Sequence, residues 1–335
     1  MSFLTYLQAD AHRLYSAGRY GGAKNLRCAT NRFQSYLAAI GKRDISFLKL
    51  KPGLLNGFEV WLKQQGVRRN TSSAYMRSLH TSYNQAVRDG VATGAAPSAP
   101  GVNPFADVYC GVDKTVKRAV DMQTICKLQN IDIPSAIRCL YAKQGKRCHG
   151  KYFDDAQRKL ALTRDLFLFS FCMRGMAFVD LAFLRKSDIS GGFISYVRRK
   201  THQRIIVRIE PMMQQIIDRW QTSGPYLFPI LTEYQDEEVA YRQYQNQLTL
   251  YNRRLKILGQ MLGGIHLTSY VSRHSWASAA YAEHVSIAVI SQSMGHTFER
   301  TTRIYLQELD HTLIDRTNHK LLNAVFGGRK RKDYT

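Results

Sequence analysis

A chain of 335 residues with 44% apolar and 11% aromatic side chains has enough material for two domains, each with its own core, and its composition excludes a disordered polymer. Its 48 Lys and Arg against 25 Asp and Glu leave a net charge of +23, a surplus that fits a polyanionic partner, nucleic acid or anionic membrane. The sequence offers neither an apolar run of about 18 residues nor a basic amphipathic terminal helix, which sets the membrane aside. The N-terminus lacks the charged and apolar regions of an export signal, so a cytoplasmic location is expected.

Residues 1 to 91 read as a small helical module, with helices around Leu4 to Ala17, Lys24 to Ile40, Leu54 to Gln65 and Ser72 to Arg88. Apolar residues such as Leu4, Leu7 and Leu14, then Phe33, Tyr36 and Leu37, recur there at intervals of three to four. This stretch holds 14 basic residues against four acidic ones, a bias suited to neutralising a DNA backbone, with a surface made basic for solubility as the alternative. Arg68 and Arg69 are the DNA-contacting candidates here. The run ATGAAPSAPGVNPF at 92 to 105 breaks the periodicity and marks a boundary between a first domain at 1–105 and a second at 106–326, followed by a basic tail at 327–335.

Beyond the break, Lys114, Lys117 and Arg118 form a second basic stretch. Residues 153 to 173 predict a helix whose last turns, LFLFSFCM, are apolar on nearly every side and therefore central to a core. It stops at Arg174-Gly175. GGFISYVRRK and QRIIVRI are short alternating runs that predict a hairpin with its turn at Lys200 to Gln203, and Arg198 and Arg199 beside that turn are further DNA-contact candidates. From Pro211 to about Phe326 the sequence reads as successive helices. The last, about Leu313 to Val325, has an apolar set that either docks on a neighbouring protomer or packs on its own domain. The fold class expected is mainly α with a small β-sheet. The six cysteines are scattered with no Cys-x-x-Cys pair and read as reduced, mostly packed thiols; neither they nor the histidines show a metal-ligand spacing, so no metal or other cofactor is expected.

The most informative segment is 267 to 307. It places Tyr270 and Arg273 three apart on a helix, hence on one face, then a helix ending at Gly295-His296, then a helix carrying Tyr305. Arg273-His274-Ser275-Trp276-Ala277, Met294-Gly295-His296-Thr297 and Thr301-Thr302-Arg303-Ile304-Tyr305 resemble, in order, the Arg-His-Thr-Phe-Ala, Leu-Gly-His and Thr-Thr-x-x-Tyr boxes of the tyrosine recombinases, or phage integrase family. Upstream, Arg174-Gly175 with Asp180 and Asp188 resembles the family's first arginine box, with about three extra residues between the arginine and the acidic position. Arg198-Arg199-Lys200-Thr201 resembles the hairpin that bears the family's lysine. The resemblance spans roughly residues 110 to 310, and the N-terminal module resembles the family's core-binding domain.

What the resemblance implies is site-specific recombination of duplex DNA through a 3′-phosphotyrosyl intermediate and a Holliday junction, as in integration, excision or inversion of a mobile element. Tyrosine attack on a phosphodiester builds negative charge on the two non-bridging oxygens, and two arginines, Arg174 and Arg273, present the planar donor forks that neutralise it. By the same resemblance His296 donates a further hydrogen bond, Lys200 protonates the departing 5′ oxygen, Tyr305 is the nucleophile, and Asp180 supports the site by fixing an arginine or histidine. The family's usual histidine three before the arginine is here Tyr270, a phenol suited to donating a hydrogen bond to phosphate rather than to acting as a base. Trp276 reads as a core aromatic. The resemblance also implies a homotetramer on DNA assembled through the C-terminal helix, an accessory DNA-bending protein as a candidate partner, and association with the bacterial nucleoid. Two other classes stay open: a type IB topoisomerase, and a DNA-binding relative with weakened catalysis.

Overall fold

In the computed structural model of the chain the described residues are 1–92, 103–113, 119–143, 145, 150–232 and 236–306, with side chains described to residue 302 in the last stretch. The expectations placed on Lys114, Lys117, Arg118, the 313–325 helix and the basic tail lie outside the described residues, as does the side chain of Tyr305. The chain divides into two units, Met1–Val116 and Lys117–Thr335.

The first unit is built from α1 (Phe3–Ser16), α2 (Tyr20–Ala39), α3 (Pro52–Gln64) and α4 (Arg69–Arg88). Pro52 opens α3 where its missing N–H leaves no bond unmade. The three-to-four spacing read from the sequence becomes one core of Phe3 and Leu7 from α1, Phe33 and Leu37 from α2, Leu55, Phe58 and Leu62 from α3, and Met76 and Leu79 from α4. Phe33 meets Phe3 and Phe58 edge-on, with ring centroids 5.8 and 5.2 Å away, and each such buried side chain contributes about 1.5–3 kcal/mol. Buried Asp10 ties α1 to α4 by accepting hydrogen bonds from Ser82 Oγ at 2.5 Å and Arg13 Nη2 at 2.6 Å. Phe105 and Val108 are buried in this same core. Asn70 exchanges two hydrogen bonds with the backbone of Asp113, at 3.0 and 2.7 Å. The 103–113 segment thus packs on the helices that precede it. All 14 basic side chains of residues 1–91 are exposed.

The second unit comprises α5 (Met122–Gln129), α6 (Ile133–Lys143), α7 (Lys151–Cys172), α8 (Phe178–Ala182), β1 (Ile189–Ser190), β2 (Phe193–Val197), β3 (Arg204–Arg208), α9 (Pro211–Arg219), α10 (Glu237–Met261), α11 (Val271–Ala282), α12 (Ile287–Ser293) and α13 (Glu299–Leu306). The strands form an antiparallel sheet in the order β1-β2-β3, with Tyr196 opposite Ile205 and Ser195 opposite Ile206. Alternation sends Ile194, Tyr196, Ile205 and Val207 to the core and leaves Phe193, Val197 and Ile206 in solvent. Helix α7 runs through the centre, burying Leu160, Phe167 and Phe169, the last edge-on to Phe228 at 4.8 Å. Buried Asp165 of α7 accepts bonds at 2.8 Å from Arg164 Nε, Arg219 Nη1 and Trp220 Nε1.

The stretch after Pro211 folds as the successive helices α9 to α13, and residues 220–232 between α9 and α10 are irregular where Gly224, Pro225 and Pro229 interrupt a run whose Tyr226, Leu227, Phe228, Ile230 and Leu231 are buried as loop residues. Tyr270 caps the start of α11 with helical backbone angles, its C=O accepting from His274 N–H at 3.0 Å, and is 51% exposed, whereas Arg273 in the helix is 3% exposed. One expectation, that of mostly packed cysteines, needs correction. The described cysteines are free, but Cys28, Cys126 and Cys139 are exposed rather than packed. No helix among the described residues is long and apolar enough to cross a membrane.

Candidate active site

The site is assembled from two helix ends, one hairpin and the start of α11. Helix α7 closes with Gly175 N–H bonded to Ser170 C=O at 2.9 Å, the bond that terminates a helix through a left-handed residue. That left-handed residue is Arg174, at φ +57°, where glycine is the usual occupant. Its guanidinium, half-buried, has no hydrogen-bond or ion-pair partner among the described residues, so it does not serve to satisfy the last carbonyls of α7. Gly175 follows at φ +74°, and a Cβ there would stand 2.6 Å from Arg273 Cα. The absence of that Cβ lets α11 approach the end of α7. The approach is pinned by a 2.8 Å bond between the Ser170 and Ser272 hydroxyls.

The second helix end is that of α12. His296 N–H bonds Ser291 C=O at 3.0 Å and Gly295 N–H bonds Gln292 C=O at 2.9 Å, with Gly295 at φ +62°. This pair of bonds is the glycine-terminated cap that a Gly-His sequence after a helix predicts.

Arg273 lies between the two ends. Its Nη1 donates to Gly175 C=O at 2.7 Å, and its Nη2 donates to Met294 C=O at 2.7 Å and to His296 Nε2 at 2.9 Å. A guanidinium has no acceptor, so Nε2 accepts and the ring proton sits on Nδ1, 2.8 Å from Thr302 Oγ1. Burial, reinforced by the positive charges of Arg273, Arg198 and Lys200, pushes the His296 imidazole down to about 3, and the ring is neutral at any ordinary pH. Thr302 is fully buried and belongs to α13, so its bond to His296 anchors that helix one turn before Tyr305.

The hairpin between β2 and β3 brings Lys200 to an exposed turn. Its base is fixed to α8 and to the end of α12. Asp180 Oδ1 accepts from Arg199 N–H at 2.9 Å, and Thr201 Oγ1 donates to Gly295 C=O at 3.1 Å. Arg198 is 5% exposed and donates Nη1 to Met294 C=O at 3.1 Å and to Gly295 C=O at 2.5 Å. Its expected place among the DNA-contacting residues is therefore corrected: the guanidinium is turned into the protein and engaged there. Arg199 stays exposed, its guanidinium 4.0 Å over the Phe183 ring. Arg68 and Arg69 of the first unit are also exposed, although Arg69 lies 3.8 Å over the Tyr109 ring and 3.4 Å from Asp113.

Asp180 is buried, and burial holds its carboxyl above the usual carboxylate range against the opposing pull of Arg199 N–H, Arg198 and Arg273. Tyr196, at the centre of β2, is raised by its burial, with Asp180 adding to that shift and Arg273, Arg198 and Arg174 opposing it. These groups therefore surround one spot. Sequence reasoning missed Arg198 as an internal cation, and also Tyr196, Thr201 and Thr302. Trp276 is partly buried against Ala277, Ile290 and Met294, as a core aromatic.

The cluster can hold an anion: Arg174 and Lys200 are accessible cations, and Arg273 has a fork now held by carbonyls and a neutral imidazole that a phosphate can replace. Among the described residues no group of three or more His, Cys, Asp or Glu side chains is placed to hold a metal ion.

Residues 2–96 match the model of the phage integrase SAM-like domain. Comparison with curated proteins gives no match. Among solved structures, a lambda integrase dimer bound to a COC′ core site aligns at a TM-score of 0.55 and 15% identity, covering 91% of this chain and 77% of that one. The Tn1549 transposon integrase in complex with transposon right end DNA aligns at 0.56 and 14% identity, covering 96% and 99%. A lambda integrase tetramer bound to a Holliday junction aligns at 0.54 and 15% identity, covering 100% and 80%. At these identities the likeness establishes a shared fold. The family-model match thus covers the N-terminal unit, and over the whole chain the likeness to these integrases is one of fold.

Proposed function

We propose that this protein is a site-specific DNA recombinase that cleaves and rejoins duplex DNA through a 3′-phosphotyrosyl intermediate. The observation that carries the reading is the bonding of Arg273 to both Gly175, beside Arg174, and His296, which is tied in turn to the helix of Tyr305. Gly175, Arg273, His296 and Thr302, scattered over more than a hundred positions of sequence, are joined by hydrogen bonds, and the types of Arg273, His296 and the neighbouring Arg174 are those that phosphoryl transfer to a tyrosine needs.

In the proposed reaction the scissile phosphate docks on Arg174 and takes the Nη2 donor of Arg273 from Met294 and His296. Tyr305 Oη attacks phosphorus, its bond to phosphorus forms as the P–O5′ bond breaks, and Lys200 Nζ delivers a proton to the departing 5′ oxygen. The charge that develops on the non-bridging oxygens is met by the two guanidinium groups in a site whose donors are already fixed. His296 begins as a neutral acceptor for Arg273; its donor role belongs to the state in which Arg273 has turned to the phosphate. Tyr270, half in solvent at the start of α11, is free to hydrogen-bond a phosphate oxygen. A 5′ hydroxyl from a partner strand reverses the step, and four protomers on two sites, assembled through the C-terminal helix with an accessory bending protein where the site requires one, complete the exchange.

The test is incubation of the full chain with nicked suicide duplexes built from the DNA on either side of its gene. A protein band shifted by bound DNA on a denaturing gel, and lost in Tyr305→Phe, is the expected result. No adduct from a duplex that the protein demonstrably binds would leave a DNA-binding relative without catalysis, and supercoil relaxation without strand exchange would mark type IB topoisomerase chemistry.

A further inference from the structure

The hairpin that carries Lys200 is held by a buried polar seam. Arg198 faces inward because strand alternation puts Ile194, Tyr196 and Arg198 on the same side of β2 and its continuation. There its Nη1 bridges two successive carbonyls of the α12 cap, those of Met294 and Gly295. The Met294 carbonyl is also the acceptor for Arg273 Nη2, so one oxygen is shared by a buried arginine of the hairpin and a buried arginine of the phosphate site. The Gly295 carbonyl is shared in the same way by Arg198 and Thr201, which flank Lys200 on either side. A Cβ at Gly295 would lie 2.7 Å from Arg198 Cδ, so this cap fits only a glycine.

The other side of the guanidinium is incomplete. Arg198 Nε and Asp180 Oδ2 are both buried without a hydrogen-bond partner among the described residues, and they stand 3.7 Å apart. Unpaired buried polar atoms of opposite charge are costly, and here a shift of under an ångström would pair them. Asp180 Oδ1 meanwhile holds the N–H of Arg199, next to Lys200. Tightening of the Arg198–Asp180 contact therefore moves the turn that carries Lys200.

We propose that Arg198 is a positioning residue: through Met294, Gly295 and Asp180 it sets the Lys200 turn relative to Arg273, and so the delivery of the proton to the departing 5′ oxygen. The inference rests on Lys200 being the proton donor. Lysine at position 198 cannot replace the fork, since an ammonium is a single point of donors and cannot face two carbonyls and a carboxylate together.

The experiment measures the rate of covalent adduct formation by the full chain on the same nicked duplex, made either with the natural 5′ oxygen or with a bridging 5′ sulfur at the scissile position. A thiolate leaves without a donated proton, so the sulfur duplex bypasses proton delivery. The expected result is that Arg198→Lys slows the oxygen duplex by roughly 10- to 100-fold, and Thr201→Val by about fivefold, while both react with the sulfur duplex within about twofold of the unaltered protein. Lys200→Ala shows the same rescue. A purely structural role for Arg198 slows both duplexes alike, and that outcome beside a rescued Lys200→Ala overturns the inference while leaving Lys200 in place. Lys200→Ala slow on both duplexes removes Lys200 as donor and the inference with it. Should Arg198→Lys fail to fold, Thr201→Val, a milder change at the half-buried edge of the same seam, decides by the same comparison.

Discussion

Arg174 occupies a backbone position that favours glycine, and its guanidinium has no hydrogen-bond or ion-pair partner among the described residues. A non-glycine residue at positive φ costs of order 1–2 kcal/mol, and such strain persists where function requires the side chain. Arg174→Gly is therefore expected to raise thermal stability by about 1 kcal/mol, a few degrees in melting temperature for a unit of this size, while abolishing adduct formation. Thermal unfolding and the suicide-duplex assay measured on one preparation check both signs; a melting temperature that falls would mean that Arg174 has a structural partner. Arg273, His296 and Lys200 stand out in the sequence as residue types in ordered boxes, and the structure bonds the first two to each other and sets the third on an exposed turn. Arg198 was misread since a run of Arg-Arg-Lys looks uniformly basic. The alternation that buries Ile194 and Tyr196 carries the correct answer, for it sends Arg198 inward and Arg199 outward.

At the scale of elements, the site depends on how closely α11 approaches the end of α7, and Gly175 sets that distance. Gly175→Ala places a methyl 2.6 Å from the Arg273 backbone at a φ of +74°, so neither the strain nor the clash can be relieved by a rotamer change. The expected loss is about 2–4 kcal/mol, a drop of several degrees in melting temperature, with adduct formation lost alongside. Gly191→Ala is the control: its φ is +57° but nothing lies within 4 Å of the added Cβ, so only the smaller cost of strain remains. Equal losses in the two variants would show that the α7–α11 approach is not what Gly175 protects. The long periodic helices and the alternating hairpin were readable, since their patterns repeat often enough to exclude other periods. The short α5 and α6 were not, nor were the bounds of the 220–232 connection, because buried loop residues are as apolar as helix ones; Gly224, Pro225 and Pro229 were the available signal. Phe105 and Val108 packed into the first core likewise follow a Gly-, Ala- and Pro-rich stretch that reads as linker.

Across the whole molecule the charge divides into two kinds. The 14 basic residues of positions 1–91 are all exposed, whereas Arg273 and Arg198 are buried among carbonyls. Exposed cations act on DNA by releasing counterions, so binding of the full chain to duplex is expected to weaken by about 10³–10⁵ between 50 and 200 mM salt if six to ten phosphates are contacted. Arg68→Gln should lower the slope of log affinity against log salt by about one and weaken all sequences alike. Arg69 is a less clean probe, because its guanidinium also faces Tyr109 and Asp113 and its removal loosens the 109–113 segment. The buried cations are screened far less, so once the DNA is saturated the rate of adduct formation should change little over the same salt range. A quantitative binding titration and a single-turnover cleavage assay at matched salt concentrations separate the two. A cleavage rate that falls as steeply as affinity would place the cations of the reaction on the exposed surface, and would contradict a site built around Arg273.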